Sequence, residues 1–558
     1  MTASKPMRGS FSLWILATAL LLAGSFHEYI GCLLSVGICI GLFVKIRKNQ
    51  GVFVEKSLLS LAVVGVCAGY GITCLWAVDR GMAVVGFLKF LPLLLYLVCL
   101  WQEDGQNDLF SVMPVLGAAL AVLSAILMVL PGAEGRFSVA DRLAGVFQYP
   151  NTFAAFLLVC LLSAMQKEKR AWYDWVSMPI LAAGILYTGS RTVFVLAVAA
   201  CGVMLFLSVQ KKGKFLLICL LGAAALTAVL LLLADNPVVG RFFRISLTES
   251  TLVGRILYYA DGLKLLVKCP FGMGYFGYYY SQGSVQTGVY SVTFIHNDFM
   301  QLLLDIGWIP GGLFLFAVGR WFFRKDVAPK QKLVVGTLCL HSLLDFNLQF
   351  VAVFMLLLGL MSSAPAKREK WKANAVMTGA VALFAVLSLY MALPLALAHW
   401  DQRELSHKLY PYNTQNMLSM IEEERDLERA NALADKILQQ NTAHFGAYTV
   451  KAIYAYSKGN FSAMMQYKEA VFRTNPFDHI AYEEYCQWLI NGISIYEKNG
   501  DSASAKVCRQ QISQTVNRLH QNEKRLSKLG SMIKDQPVTA LSDAMQQAVN
   551  LALKGGAQ

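Results

Sequence analysis

The amino-acid sequence predicts an all-α protein: a polytopic membrane bundle of about thirteen transmembrane helices, followed by a soluble helical-repeat domain. Three observations predict this class. Of the 558 residues, 56% are hydrophobic and only 15% are charged, and the mean hydropathy is +0.48. Many windows exceed the roughly 18 apolar residues that span a bilayer, where the backbone must satisfy its own hydrogen bonds in helices. Near residue 398 the composition changes to that of a soluble helical protein.

The predicted membrane domain covers residues 1–397. Its apolar segments lie near 11–26, 28–44, 57–77, 81–101, 109–130, 152–165, 176–190, 192–209, 215–234, 297–319, 332–346, 348–364 and 374–397. The first segment follows Lys5 and Arg8 without a small-residue cleavage site, which predicts a retained span rather than a removed signal peptide. A long connection, 235–296, separates the ninth segment from the tenth. Lys89 is a charge inside a span and has no evident role.

Clusters of basic residues predict the sidedness of the loops. They occur at Lys5/Arg8, 45–56, 167–170, 211–214, 320–332 and 367–372. With thirteen spans these clusters all fall on one face, which the positive-inside rule makes cytoplasmic. The N terminus is then cytoplasmic, whereas 131–151, 190–191, 235–296 and everything after His399 are extracytoplasmic. The chain is therefore expected to be a multi-pass protein of the cytoplasmic membrane.

The basic clusters in the membrane part also account for the formal net charge of +14. From Ala398 onward 18 basic and 17 acidic residues nearly cancel, so the surplus belongs to the membrane part. Nucleic-acid binding is therefore not expected. The twelve cysteines include no C-x-x-C pair and no zinc spacing, so no metal site is predicted. The sequence does not decide whether Cys486 and Cys508, in the soluble part, form a disulfide.

Residues 398–558 are expected to form an extracytoplasmic helical domain. Within it, residues 447–476 resemble one tetratricopeptide repeat. The turn, the second helix and the end of this repeat carry Gly459, Phe461, Ala470 and Pro476. Such a domain binds a protein partner or serves structural packing, and both interpretations stay open.

The long connection also contains a helical stripe of apolar residues. Its members are Leu252, Ile256, Tyr259, Leu263 and Val267. A glycine-rich and aromatic segment, 269–280, follows it. The pattern predicts a helix that lies on the membrane surface or one that packs over other outer loops.

Arginines on the predicted outer face are candidate anion ligands. Arg142, Arg191 and Arg255 are the main candidates, Arg136 lies nearby, and Arg80, Arg241 and Arg244 are weaker ones. Arg191 is the only charge between residues 185 and 200, and an arginine near lipid is costly unless it is paired. The planar guanidinium matches the oxygens of a phosphate. Alternatively, these side chains reach the interface or pair with an acid such as Asp141 or Asp261.

His296 stands directly before an apolar helix, together with Asn297 and Asp298. Asn297 and Asp298 suffice to cap that helix, which leaves the histidine available for proton exchange near neutral pH. The alternative is that His296 is itself a surface or capping residue. His341 and Asp345 lie four residues apart near the outer end of a span, where they would share a helix face. An interhelical hydrogen bond is the alternative for that pair.

Four segments occur in order on the predicted outer face. They are R-L-A-G-V-F-Q-Y-P-N (142–151), T-G-S-R-T (188–192), G-R-I-L-Y-Y-A-D-G-L-K-L-L-V-K-C-P-F-G-M-G (254–274) and H-N-D-F-M-Q-L-L-L-D-I-G-W-I-P-G (296–311). With H-S-L-L-D-F (341–346), they resemble the O-antigen ligase family of membrane glycosyltransferases, which also includes O-antigen polymerases and protein O-oligosaccharyltransferases. The resemblance covers roughly residues 140–365. Family members typically have His-Asn, nine residues and Gly-x-x-Gly, whereas here the second glycine, Gly311, comes one place late.

The resemblance implies transfer of an oligo- or polysaccharide from an undecaprenyl-diphosphate carrier to a glycan, lipid or protein acceptor outside the cytoplasmic membrane. Arg142, Arg191 and Arg255 would hold the diphosphate, and His296 would deprotonate or orient the acceptor hydroxyl. Supporting candidates are Asn297, Asp298, His341 and Asp345. No cofactor, nucleotide sugar or metal is needed, because the diphosphate is already the leaving group.

Two functions of other classes compete with this one. A transporter or flippase of lipid-linked sugars would carry charges through the depth of its spans, whereas here the charges collect on the outer side. A non-catalytic assembly protein that uses its repeat domain as a scaffold would leave the arginines and His296 unexplained. Within the family, the sequence does not separate ligase, polymerase and protein glycosylation.

Overall fold

The computed structural model describes residues 10–103, 109–209, 211–244, 250–362 and 367–554. It is almost entirely helical, with two short antiparallel strand pairs, and the predicted all-α class is confirmed. Among these residues, six helices are long and apolar enough to cross a membrane, and four shorter helices are also apolar. The total of thirteen spans stays a prediction. Lys5 and Arg8 lie outside the described residues.

The elements follow each other closely along the chain. The helices up to residue 399 are α1 (Phe11–Leu21), α2 (Glu28–Asn49), α3 (Leu58–Thr73), α4 (Arg80–Trp101), α5 (Leu109–Val129), α6 (Glu134–Phe137), α7 (Pro150–Met165), α8 (Trp172–Thr188), α9 (Arg191–Ser208), α10 (Lys212–Leu232), α11 (Ser250–Lys268), α12 (Gly277–Ser281), α13 (Asp298–Ile306), α14 (Trp308–Phe322), α15 (Pro329–Ser342), α16 (Val351–Met361) and α17 (Ala375–His399). The later helices are α18 (Arg403–Leu409), α19 (Thr414–Glu423), α20 (Leu427–Gln440), α21 (Phe445–Ser457), α22 (Phe461–Thr474), α23 (His479–Lys498), α24 (Ser502–Arg525) and α25 (Asp543–Lys554). The strands are β1 (Gly51–Glu55), β2 (Ser138–Val139), β3 (Arg142–Leu143) and β4 (Arg368–Lys372).

The chain divides into two compact units. The first unit comprises Met1–Ile72, Val85–Ser246 and His296–Ala396. The second comprises Thr73–Val84, Leu247–Ile295 and Leu397–Gln558. The first unit holds most of the apolar helices, and α7 and α16 are buried along almost their whole length.

Loops at one end of the first unit contact one another. Strand β1, which follows α2, pairs with β4, which precedes α17. Glu103, after α4, accepts hydrogen bonds from the Ser12 backbone at 3.0 Å and from Lys45 at 2.9 Å. Arg368 donates to the backbone carbonyl of Glu103 at 2.6 Å. The sequence predicts that these loops lie on one face of the membrane. The assignment of that face to the cytoplasm stays a prediction.

Two ionisable side chains buried in the first unit have partners. The Lys89 side chain on α4 is fully buried, and its Nζ lies 3.7 Å from a carboxylate oxygen of Glu28 on α2. Asp305 on α13 is also buried and accepts hydrogen bonds from the Tyr70 hydroxyl at 3.0 Å and the Gln301 amide at 2.8 Å. Pairing lowers the cost of a charge in an apolar environment, which gives Lys89 a structural role.

The predicted span 297–319 is interrupted. Helix α13 ends at Ile306, and α14 begins at Trp308. Between them Gly307 has φ 87° and ψ 174°, a backbone region that is essentially restricted to glycine. A Cβ at Gly311 would lie 2.9 Å from the Leu303 side chain, so this displaced glycine lets α14 pack closely on α13.

We expect Gly307→Ala to destabilise the protein by about 1–3 kcal/mol, because alanine strongly disfavours this backbone conformation. Thermal unfolding of the purified protein in detergent measures the effect. Gly319→Ala is the matched control: a Cβ added to Gly319, on α14, would meet no neighbouring side chain within 4 Å, and this variant should gain about 0.5–1 kcal/mol. Equal stability of Gly307→Ala and wild type would contradict this account of the break.

The second unit is built mainly from paired helices. Helices α21 and α22 pack on each other, and Gly459 in their turn has φ +70°. Phe461 and Ala470 are buried on α22, where the sequence predicts them. The tetratricopeptide resemblance itself and the boundary at residue 398 stay predictions. Cys486 and Cys508 are free, buried cysteines.

Helix α11, also in the second unit, buries one face and exposes another. Its buried residues include Val253 and Leu257. The predicted apolar stripe is on the other side, where Ile256, Leu263 and Val267 are exposed. This exposure suits a helix on a membrane surface, and the membrane contact stays a prediction.

Candidate functional site

Arg142 is held by a tight hairpin outside the long apolar helices. Strands β2 and β3 pair, and Ala140 and Asp141 form their turn with positive φ angles of 50° and 62°. The guanidinium Nε donates to the carbonyl of Thr188 at the end of α8, at 2.7 Å. A terminal nitrogen donates to the side-chain oxygen of Asn151 on α7, also at 2.7 Å. These two bonds fix the position of the guanidinium group.

Arg191 lies beside this hairpin at the start of α9. Helix α8 ends before Gly189, which has φ +60°, and Ser190 occupies the N-cap position of the next helix. A Cβ at Gly189 would lie 2.9 Å from Val238 and 3.5 Å from the Arg142 side chain. Because glycine has no side chain, both residues can pack against this turn. The first turn of a helix carries partial positive charge, and a basic side chain there adds to it. This end of α9 therefore favours an anion.

Arg241, in the 3-10 helix after α10, joins the two arginines. The pKa of the Arg142 guanidinium is lowered to about 10, first by burial, then by the positive charge of Arg241 and to a lesser degree by that of Arg191. Tyr149 and Asp345 act in the opposite direction. Arginine side chains carry a positive charge in proteins. A bound anion would relieve their mutual repulsion.

A buried carboxylate, Asp345, organises the neighbouring side chains. It accepts hydrogen bonds from the Tyr149 hydroxyl and the Asn151 amide, both at 2.9 Å, and from the Phe346 backbone at 3.0 Å. Because Asn151 also accepts from Arg142, a hydrogen-bond chain runs from the guanidinium to the carboxylate. Asp345 therefore sets the orientation of Asn151 and, through it, of Arg142.

His296 contacts Phe346, the residue that follows this carboxylate. Its ring meets Phe346 edge-on, with centroids 5.0 Å apart, and Phe346 in turn stacks on Tyr149 at 4.7 Å. His296 is half-buried and has φ 58°, an uncommon conformation for a non-glycine residue. Strained residues of this kind often mark functional positions.

Of the two residues after His296, only Asn297 caps the helix, whereas Asp298 lies inside its first turn. The Asn297 side chain caps α13 by accepting the Met300 backbone N–H at 3.0 Å. Asp298 is buried in the first turn, with its carboxylate beside Ser342 and the backbone of Asn347. Both residues thus position the helix that begins directly after His296.

His341 and Asp345 do not share a helix face, because α15 ends at Ser342. His341 is buried, and its Nδ1 contacts the Asn347 side chain at 2.9–3.1 Å. Asn347 is held further by Thr152 on α7 at 3.0 Å. His341 therefore belongs to the packing behind the site, whereas Asp345 lies within it.

Arg255 lies on α11 in the second unit, where its charge acts on Tyr258 one turn later. Its proposed contact with the substrate stays a prediction. Arg136 is exposed on α6, and the Arg244 side chain lies outside the described residues. Among the described residues, no three His, Cys, Asp or Glu side chains form a group able to hold a metal ion.

Three residues of this site carry only weak signals in the sequence. In the sequence, Arg241 is one of several weaker candidate anion ligands. Tyr149 and Asn151 belong to the motif 142–151 and have no role of their own there. The available signal is their position on the predicted outer face, in segments flanking Arg142 and the long connection. Tertiary contacts bring these segments together: the turn at Gly189 packs against Val238 and Arg142, and Tyr149 and Asn151 bond to Asp345.

The fold and this site define a multi-pass helical membrane protein with a cluster of basic side chains beside a histidine and a carboxylate. Residues 176–317 match the family model of the O-antigen ligases, and the predicted resemblance to this family is confirmed for that region. The matched region contains Arg191, Arg241 and His296. No curated protein matches the chain. The family match supports a membrane glycan transferase of the ligase or polymerase type.

Proposed function

We propose that the protein transfers an oligo- or polysaccharide from an undecaprenyl-diphosphate carrier to an acceptor on the outer face of the cytoplasmic membrane. The observation that carries the proposal is the convergence of three arginines with His296 and Asp345 within the first unit. A ligase reaction is our first choice. A polymerase or a protein O-oligosaccharyltransferase would use the same site with a different acceptor.

The arginines bind the donor. Arg142, Arg191 and Arg241 hold the diphosphate and stabilise the charge that it gains on leaving. Their mutual repulsion favours an anionic ligand over a neutral one. We also assign Arg255 to the diphosphate, as the sequence predicts.

His296 serves the acceptor. It takes the proton of the acceptor hydroxyl while the acceptor oxygen forms a bond to the anomeric carbon of the glycan. The bond from that carbon to the phosphate oxygen breaks, and the carrier diphosphate leaves with the electron pair. Asn297 and Asp298 position α13, Asp345 orients Asn151 within the site, and His341 packs behind it.

The direct test is transfer by the purified protein in liposomes that contain the lipid-diphosphate-linked glycan and an acceptor. We expect a product in which glycan is linked to acceptor, together with free carrier diphosphate. Movement of the donor across the bilayer without any product would favour a transporter and overturn the proposal. A C-terminal tag that is inaccessible from outside intact cells would overturn the proposed sidedness.

Asp345→Asn should lower the transfer rate about 100-fold with the fold retained. The new amide group would oppose the donor groups of Tyr149 and Asn151, so Asn151 would no longer orient Arg142. Measurement of kcat and of KM for the donor checks this. Because Asp345 acts through Arg142, we expect donor KM to rise as kcat falls.

Asp326→Asn is the matched control for this substitution. The Asp326 side chain lies in the same unit and is half exposed, with a surface partner in Arg324. Its variant should transfer at the wild-type rate. A folded Asp345→Asn protein with wild-type kcat and KM would remove Asp345 from the site.

A further inference from the structure

The second unit contains a cleft with aromatic walls. It encloses a cavity of about 90 Å³ and lies between the segment around α12 and the adjoining ends of α21 and α22. The side chains that matter here are Tyr279, Tyr280, Tyr290, His444, Phe445 and Asn475. None of them is used by the proposed transfer step.

Close backbone contact fixes the cleft walls. A Cβ at Gly283 would lie only 1.8 Å from the carbonyl oxygen of Thr474 at the end of α22, so only glycine permits this approach. The Gln282 amide donates to the carbonyls of Tyr279 at 2.8 Å and Val292 at 3.0 Å. The cleft is therefore preformed, which reduces the entropic cost of binding.

The aromatic rings form a continuous surface. Tyr280 meets His444 edge-on, with centroids 5.3 Å apart, and His444 stacks on Phe445 at 5.6 Å. Phe445 remains 41% exposed, although it is a large apolar side chain in a soluble helical region. Its ring is available to pack against the flat face of a ligand.

The cleft carries no formal charge. Of the described residues that line it, none is Asp, Glu, Lys or Arg. Burial lowers the pKa of His444 to about 4, so it is neutral at physiological pH. Its Nδ1 accepts the Ala447 backbone N–H at 3.3 Å, which places the ring proton on Nε2 as a donor. A phosphate or another anion would find no counter-charge here.

We propose that this cleft binds a neutral sugar ring of the glycan. A pyranose has an apolar C–H face, which suits Phe445 and the tyrosines, and hydroxyl groups, which suit the His444 donor and the Asn475 amide. The assignment rests on the proposed glycan transfer. The sugar belongs either to the donor glycan or to the acceptor, and the two share this chemistry.

Binding by the full-length protein in detergent tests the proposal without turnover. The probe is the oligosaccharide released by mild acid from the host's lipid-linked donor, titrated by calorimetry. We expect saturable binding that Phe445→Ala and Phe445→Leu weaken about tenfold and Phe445→Trp preserves, because an aromatic face is required. Ile480→Ala is the matched control, since Ile480 is 71% exposed in the first turn of α23 and lies outside the cleft.

Absence of saturable binding, or equal affinity in all variants, would overturn the sugar site. Tighter binding of a tyrosine-rich peptide than of the oligosaccharide, with the same Phe445 dependence, would do so as well. In the transfer assay, a Phe445→Ala effect on donor KM assigns the sugar to the donor, and an effect on acceptor KM assigns it to the acceptor. The probe should bind His296→Ala as it binds wild type.

These outcomes separate the two proposals. If the oligosaccharide binds in a Phe445-dependent manner while the wild type forms no product, the cleft assignment stands and the proposed transfer fails. If the wild type transfers glycan but neither binding nor KM depends on Phe445, the transfer stands and the cleft assignment fails.

Discussion

His296→Ala is expected to lower the rate of glycan transfer by about 100-fold to 10,000-fold, the range that a positioned general base contributes. The reason is chemical as well as geometric. His296 is half-buried, strained in its backbone and set edge-on against Phe346, next to Asp345. Alanine cannot accept the proton of the acceptor hydroxyl. Single-turnover transfer from a saturating lipid-linked donor measures the chemical step directly.

His520→Ala provides the matched control, because His520 is exposed on α24. This variant should transfer at the wild-type rate. Binding of the donor should change little in His296→Ala, since the arginines that hold the diphosphate are intact. A folded His296→Ala protein with wild-type single-turnover rate would leave the reaction without its proposed base.

Arg191→Ala should lower kcat by about 100-fold to 1,000-fold, as removal of one group that stabilises developing charge typically does. Arg191 adds its charge to the N-terminal end of α9, where Arg142 also approaches. Arg191→Lys should recover part of the rate, because lysine keeps the charge but loses the planar fork that matches phosphate oxygens. Steady-state kinetics with varied donor concentration measures both variants.

Arg136→Ala is the control for charge removal, because Arg136 is exposed on α6, directly before the hairpin. It should keep wild-type kinetics. If Arg191→Ala transferred at the wild-type rate, or if Arg136→Ala were equally slow, the effect would reflect general surface charge and the diphosphate site would be misplaced.

The membrane class and the importance of single charges could be predicted from the sequence. Lipid selects apolar side chains so strongly that composition alone identifies the membrane part, and a lone arginine such as Arg191 stands out against it. His296 was recognisable because two better capping residues follow it.

The partners of these charges could not be predicted, because they come from distant parts of the chain. Asp345 bonds to Tyr149 and Asn151, and Lys89 pairs with Glu28, only after helices far apart in sequence have packed. No local pattern encodes such contacts.

The sequence does not predict the interruption at Gly307, for a different reason. Apolar residues continue on both sides of it, so hydropathy predicts one span where the backbone forms two helices. Hydropathy also does not predict the left-handed turn at Gly189, against which Val238 and Arg142 pack.

The pairing of β1 with β4 sets an order of events during synthesis. Glu55 is opposite Arg368 in this ladder, so about 300 residues must be made before the second strand exists. At roughly 5–20 residues per second, β1 waits for roughly 15–60 s with an open edge. The first unit is thus completed by one of its last segments. In a nascent chain stalled before residue 368, β1 would stay unpaired and the early helices would stay accessible to chaperones.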